Sequence, residues 1–199
     1  MTGREEILAR IRSNRPQLER PLPAVPLFDG GAPASLLTTF KGNLERMGGL
    51  FLDPPATGDL RTPVHAKIAD AKVICSLVPE FTGNRLLADV RVPQDLSDVD
   101  FAIVRASFGV AETGSILLTE ANLGINAVAY LAQHLIVLLD PADIVLNLHH
   151  AYQRREFREW HYASFHTGPS ATADIEGVLI HGAQGVRSLS VLPIARTTG

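Results

Sequence analysis

Two segments combine residue types that can do chemistry with backbones able to present them. The first is FGVAETGSILL, Phe108 to Leu118, in which short β-type runs flank Glu112, Thr113 and Gly114. Gly109 and Gly114 permit backbone geometries and close approach that a side chain would block. A carboxylate held in such a turn can act as nucleophile or general base, or orient a ligand hydroxyl. The plainer reading is a polar turn residue in solvent. The second segment is TGPSATADIEGVLIHGAQG, Thr167 to Gly185. Here a strand ends, Gly168, Pro169 and Ser170 form a loop, and Ser170 or Thr172 caps a helix predicted over about 173–181. Free amides at that helix start, with the hydroxyls, would bind a phosphate or carboxylate. Asp174 and Glu176 in its first turn satisfy the dipole themselves and repel a dianion, so a well-capped structural helix is the alternative.

Other reactive side chains offer less. His149 and His150 are consecutive on a predicted helix and point about 100° apart, which does not favour joint chelation of one ion. His161 and His166 are too far apart on a strand to converge, and no metal site is expected. Arg105 is a candidate ligand-binding cation, with a surface salt bridge as its alternative fate. Trp160 and Tyr162 are expected to anchor the core. The single cysteine, Cys75, lies in the apolar run AKVICSLV and reads as a buried, inert hydrophobe. One cysteine also rules out an internal disulfide and a self-contained Cys-ligated zinc or iron–sulfur site.

The elements that must position these residues follow from periodicity. Thr2 and Glu5 form a capping box before the stripe Ile7, Leu8, Ile11, which predicts a short helix ending before Pro16. From Pro16 to Pro33 the chain holds five of its 13 prolines, the mark of an extended arm. The helix is expected to dock on the body or on a partner subunit, and residues 1–33 to stand apart from a domain over 34–199. Leu36, Leu37, Phe40, Leu44 and Met47 recur at helical spacing before the stop Gly48–Gly49. An apolar run at 50–52, a helix around 64–71 and a strand at 73–77 come next. Strands are also predicted at 115–119, 134–139, 162–166 and 188–194, with helices over roughly 122–132, 142–159 and 173–181. For the helix after Leu139, Asp140 can cap, Pro141 takes the first helical position and Asp143 complements the dipole. This alternation predicts an α/β, Rossmann-like layered domain with a mostly parallel sheet.

Composition narrows the class. The 199 residues are 46% hydrophobic and 20% charged, an ordinary globular balance. A chain of this size buries roughly 70% of its unfolded surface and needs no staple. Eighteen basic against 21 acidic residues give a net charge of −3 with no basic face for nucleic acid. The densest basic stretch, Arg154 to Arg158, is interrupted by Glu156 and reads as a solvated helix face. The opening MTGREEILARIR carries charge where a signal peptide has an apolar core. No stretch is long and apolar enough to span a bilayer, so a cytoplasmic protein is expected.

The two reactive segments, in this order and with 118 to 167 as the interval between them, resemble the LUD-domain family, which includes lactate-utilisation protein C. The resemblance rests on FGVAETGSILL, the DPADIVLNL helix start, GPSATADIEGVLIHG and the terminal run SLSVLPI, with REEILARIR similar to the family's N-terminal helix. It implies a fold of the NagB/RpiA/CoA-transferase group and a role in oxidising L-lactate to pyruvate alongside two iron–sulfur subunits. Cofactors would then reside on those partners and none on this chain. It also implies that Glu112, Thr113 and Gly114 face Gly168, Pro169, Ser170, Thr172 and Asp174 across one pocket, with Gly109 beside them, holding a small carboxylate or nucleotide-like ligand. The family usually has an arginine where this chain has Ala171 and often an aspartate where it has Ser107; losing the arginine removes a bidentate cation. Ala183 likewise replaces a frequent proline in a turn.

Three functions remain open at this point. The chain is an accessory or catalytic subunit of lactate oxidation, or a stand-alone CoA-transferase-like enzyme whose Glu112 attacks an acyl-CoA thioester, or a metabolite-binding protein without turnover.

Overall fold

A computed structural model describes residues 3–16, 21 and 23–196. Helix α1 (Gly3–Ser13) buries none of its residues, and its apolar stripe lies open, with Ile7 61% exposed. The expected docking of this helix on the body is therefore not what the single chain shows. Thr2 lies outside the described residues. Helix α2 (Leu36–Arg46) is capped by Ser35, whose hydroxyl accepts from Thr38 N, and it buries Phe40 and Leu44. It stops where expected: Gly48 adopts φ +83° and Gly49 N returns to Leu44 O at 3.0 Å.

The body is built on a five-stranded, all-parallel sheet. Its strands are β1 (Leu50–Phe51), β2 (Ile74–Ser76), β3 (Phe101–Arg105), β6 (His134–Leu139) and β11 (Ser188–Pro193), in the order β1-β11-β6-β3-β2. Helix α3 (Thr62–Lys67) lies between β1 and β2 in the chain. A second sheet, β7-β4-β5-β8, holds β4 (Phe108–Val110), β5 (Ser115–Thr119), β7 (Ile144–Val145) and β8 (Ala163–His166). The central strands are mostly buried Val, Ile, Leu and Ala, with Ser190 the buried polar exception, the pattern of a sheet covered on both faces. The expected layered α/β domain with a mostly parallel central sheet is what the chain forms.

The chain passes between the sheets at one step. Ala106 N still bonds Leu138 O in the parallel sheet, while Ser107 N bonds Leu117 O in the second. After β6, Asp140 caps a 3-10 turn (Pro141–Asp143) by accepting from Ala142 N at 2.9 Å, and β7 then pairs with β4.

Three predicted helices are corrected. The segment 142–159 is not one helix, because Ile144 and Val145 are β-branched and complete the second sheet. Only the short helices α6 (Leu148–Ala151) and α7 (Glu156–Glu159) follow. The segment 122–132 splits into α4 (Glu120–Leu123) and α5 (Val128–Leu131) because Gly124 takes φ +61°. The segment 173–181 is a β-hairpin, β9 (Ala171–Ile175) and β10 (Val178–His181). Its two-residue loop, Glu176 and Gly177, has φ +53° and +71°, the mirror-image turn whose twist suits a hairpin.

The tightest seam lies between α2 and the β4–β5 turn. A Cβ at Gly114, which has φ +68°, would sit 2.1 Å from Leu44 N. Gly114→Ala is expected to cost on the order of 3 kcal/mol or more, since the clash is with backbone that cannot rotate away. Its urea midpoint, compared with that of Gly177→Ala, whose Cβ meets nothing within 4 Å, checks this.

Candidate functional site

The structure separates the sequence-predicted site residues into three groups. The first surrounds the turn. Asn43 Nδ2 donates to Ala111 O at 2.8 Å and Glu112 O at 2.9 Å, tying the turn to α2. Glu112 is exposed, and its Oε2 accepts from Leu148 N at 3.1 Å, so the carboxylate caps α6. It also lines two shallow grooves. One, of about 270 Å³, runs past Phe28, Pro33 and Asn147. The other, of about 300 Å³, is shared with Arg46, Thr113, Ser115 and Thr167. Thr113 Oγ1 is buried without a hydrogen-bond partner, and Ser115 Oγ meets Thr167 Oγ1 at 2.6 Å. Glu112, Thr113 and the residue preceding Gly168 thus share a groove.

The second group is packing. Gly109 is corrected from ligand-binding to core: a Cβ there would lie 3.0 Å from Leu139 Cδ2 and 3.2 Å from the Phe40 ring. Gly114 is likewise spent against α2, and a Cβ at Gly168 would fall 2.4 Å from Met47 O. A Cβ at Gly48 would lie 3.4 Å from Pro169 Cδ.

The third group leaves the groove. Ser170 bonds through its backbone to Val186 O and Gly182 N, Thr172 Oγ1 donates to Asp174 Oδ2 at 2.7 Å, and Asp174 is exposed on β9. No helix starts there, so the expected anion site of free helical amides at Ser170, Thr172 and Asp174 is corrected to a ribbon strand with satisfied ladder groups.

A cleft the sequence reading did not assemble lies at the carboxyl ends of β3, β6 and β11, about 430 Å³ in volume. In open parallel sheets this is where ligands bind, because the strands diverge into the loops that follow them. Ser107 follows β3, Asp140 follows β6 and Arg196 follows β11. Arg196 N donates to Asp140 Oδ2 at 2.8 Å, and its Nη2 donates to Ser107 O at 2.9 Å and pairs with Asp143 at 3.0 Å. The two backbone amides on Asp140, with Arg196 and Arg105 beyond them, hold its carboxyl below the usual range. Asn122 Oδ1 accepts from Ser107 Oγ, Thr119 N and Thr119 Oγ1 within 2.9 Å, which leaves its amide hydrogens uncommitted. Arg154 lies 5.1 Å over the Phe108 ring and pairs with Glu156, which is buried. The basic stretch read as a solvated face is therefore partly cleft wall. Trp160, expected in the core, is 40% exposed on the same wall.

Glu112 lies at the far end of the β4–β5 hairpin from this cleft. Ser115 to Thr119 alone spans about 13 Å, so hairpin acid and cleft are separate places. Arg105 forms a salt bridge, but a half-buried one with Glu80 rather than a surface one, and it also donates to Ile194 O. Cys75 is buried, and burial pushes its thiol up. Two of the three strands that carry the signal for the cleft, 134–139 and 188–193, were read from the sequence, whereas β3 at Phe101–Arg105 was not.

The molecule is thus a layered α/β protein with a polar cleft at the carboxyl edge of a parallel sheet and a glutamate-bearing hairpin beside it. A family model described as LUD domain matches residues 81–193, more than half of the chain, and the chain belongs to the LUD-domain family. The crystal structure of a DUF162 family protein from Deinococcus radiodurans is similar at a TM-score of 0.62 and 16% identity, covering 80% of this chain and 98% of that one. That likeness concerns the fold. No curated protein matches the chain. Among the described residues, no helix is long and apolar enough to cross a membrane, and no group of three or more His, Cys, Asp or Glu side chains is placed to hold a metal ion.

The strand that delivers Thr167 carries a pH-sensitive residue. Burial lowers His166 to about 4 from 6.5, and its Nε2 has no partner. The unfolded chain therefore binds the extra proton between those values. Stability is expected to fall by about 2 to 3 kcal/mol as pH drops from 6.5 to 4, with the loss from this group levelling off below that. Urea midpoints across this range should show the decline, and His166→Phe should remove it.

Proposed function

We propose that this chain is a ligand-binding subunit of a cytoplasmic system that oxidises L-lactate to pyruvate. In this reading the cleft at the carboxyl edge holds a small hydroxylated monocarboxylate of the lactate and pyruvate class, and electrons pass through iron–sulfur clusters on partner subunits. Family membership supports the pathway, and the lone cysteine supports placing clusters elsewhere.

The observation that carries the ligand class is the charge inventory of the cleft. Three arginines, Arg154, Arg155 and Arg196, face four acids, Asp140, Asp143, Glu156 and Glu159. A wall one charge negative disfavours polyphosphates and therefore a nucleotide or CoA. The arginines are oriented by their acids, yet among the described residues Arg196 Nε and Nη1 and the Asn122 amide hydrogens have no partner. These donors suit one carboxylate and one adjacent oxygen. Glu112, committed to the α6 amide and distant from the cleft, serves in this reading as a positioning carboxylate rather than a nucleophile.

Calorimetric titration tests the assignment. L-lactate or pyruvate is expected to bind the wild type, and Asn122→Leu or Arg196→Met to weaken binding roughly tenfold or more, as loss of a charge-assisted bond does. Unchanged affinity in both variants overturns the cleft as the site. Purification from native extract is expected to bring iron–sulfur proteins along; a preparation that reproducibly lacks them overturns the pathway. A Glu112 adduct after incubation with acyl-CoAs and borohydride would instead place the chemistry on the hairpin.

A further inference from the structure

The opposite, amino-terminal edge of the parallel sheet holds a bowl of about 350 Å³ that the reading above does not use. His134 opens β6 at its centre, between Phe101 at the start of β3 and Ser188 at the start of β11. The His134 ring stacks on Phe101 at 4.8 Å, and its Nδ1 meets Ser188 Oγ at 2.8 Å. With the serine donating, the neutral ring carries its proton on Nε2, the nitrogen left without a partner.

Three cations converge here from three elements: Lys67 from the end of α3, Lys72 ahead of β2, and Arg187 ahead of β11. Among the described residues none of the three has an ion-pair partner within 4.0 Å, whereas each arginine of the carboxyl-edge cleft has one. Two acids face the same space, Asp70 and Asp100. Asp100 is already committed, its Oδ2 accepting from Lys72 N at 2.8 Å and Val73 N at 2.9 Å. The positive excess is felt at the ring: burial first, then Lys67 and Arg187, push His134 below its usual value, against the opposing pull of Asp100. Gln133 adds an amide without side-chain hydrogen bonds to the same wall.

We infer that this bowl is an anion site for the phosphoryl group of a small molecule, held by Lys67, Lys72 and Arg187 and oriented by His134 Nε2. Cations in excess of their acids around a partly desolvated donor are what a dianion stabilises, and a planar stacked ring pair at the floor offers a surface for a base. The site is independent of the lactate-class reading, since it lies at the other end of the strands and has the opposite sign.

Inorganic phosphate, ribose 5-phosphate and AMP are the probes, titrated into the full chain while the His134 ring signals are followed by NMR. A saturable shift of those signals is expected, with a rise in the ring's titration midpoint. Lys67→Glu combined with Arg187→Glu is expected to weaken it roughly tenfold or more. AMP tighter than ribose 5-phosphate identifies a nucleotide; equal affinities identify a phosphate ester without base recognition. No saturable shift with any probe overturns the site, as does binding that survives the double variant. Lys72→Glu, exposed and outside the sheet ladder, serves if the double variant fails to fold. L-lactate titration of the same variants reads the carboxyl-edge cleft separately.

Discussion

One backbone step, from Ala106 to Ser107, governs the molecule. Up to Ala106 the chain is a strand in a parallel sheet, its amide bonded to Leu138 O; from Ser107 it belongs to a mixed sheet, its amide bonded to Leu117 O. Because β6 leaves the parallel sheet at the same level, through Asp140 and its capped turn, two strands part company side by side. The gap they leave cannot be filled by backbone, so it is walled by side chains. Arg196, arriving from β11, ties the parting strands together by bonding Asp140, Asp143 and the Ser107 carbonyl. The cleft is therefore a geometric by-product of switching sheets, stabilised by charges that also give it character.

Much of this was legible in the sequence, for identifiable reasons. The strands at 134–139 and 188–193 are largely apolar runs, which a doubly covered sheet favours, while the equally apolar stretch at 101–105 was not read as a strand. The flanks of Glu112 read correctly as β-type runs around a turn, and the glycine pair marked the end of α2, whereas its Ser35 cap was not read. Thr172 to Ile180 misled because hydroxyl, acid and apolar residues there mimic a capped amphipathic helix. What decides the matter is Glu176–Gly177, where two consecutive positive φ values reverse the chain. Asp140 was correctly read as a cap, but its element ends within one turn because Ile144 and Val145 have a partner strand whose position no local pattern encodes.

The site was less legible than the fold, and the reason is distance along the chain. Ser107, Asn122, Asp140, Arg154 and Arg196 share a cleft although 89 positions separate the first from the last. Arg154 illustrates the difficulty: its neighbours in sequence make it look solvated, whereas the Phe108 ring below it and Glu156 beside it make it part of a wall. Gly109 and Gly114 show the converse. Glycine beside a carboxylate suggested ligand approach, yet what approaches is Phe40 at the first and the α2 backbone at the second.

The order of strands carries a last consequence, for how the chain becomes folded. β11 is the final described strand to leave the ribosome, yet it occupies an interior place, pairing Leu50 with Ser190 on one flank and Leu135 with Leu189 on the other. Until it arrives, β1 has no neighbour and β6 presents an open, strongly apolar margin, the kind of unpaired strand that invites wrong partners. Maturation of the sheet is thus insertion into a waiting slot between β1 and β6 rather than addition at a rim.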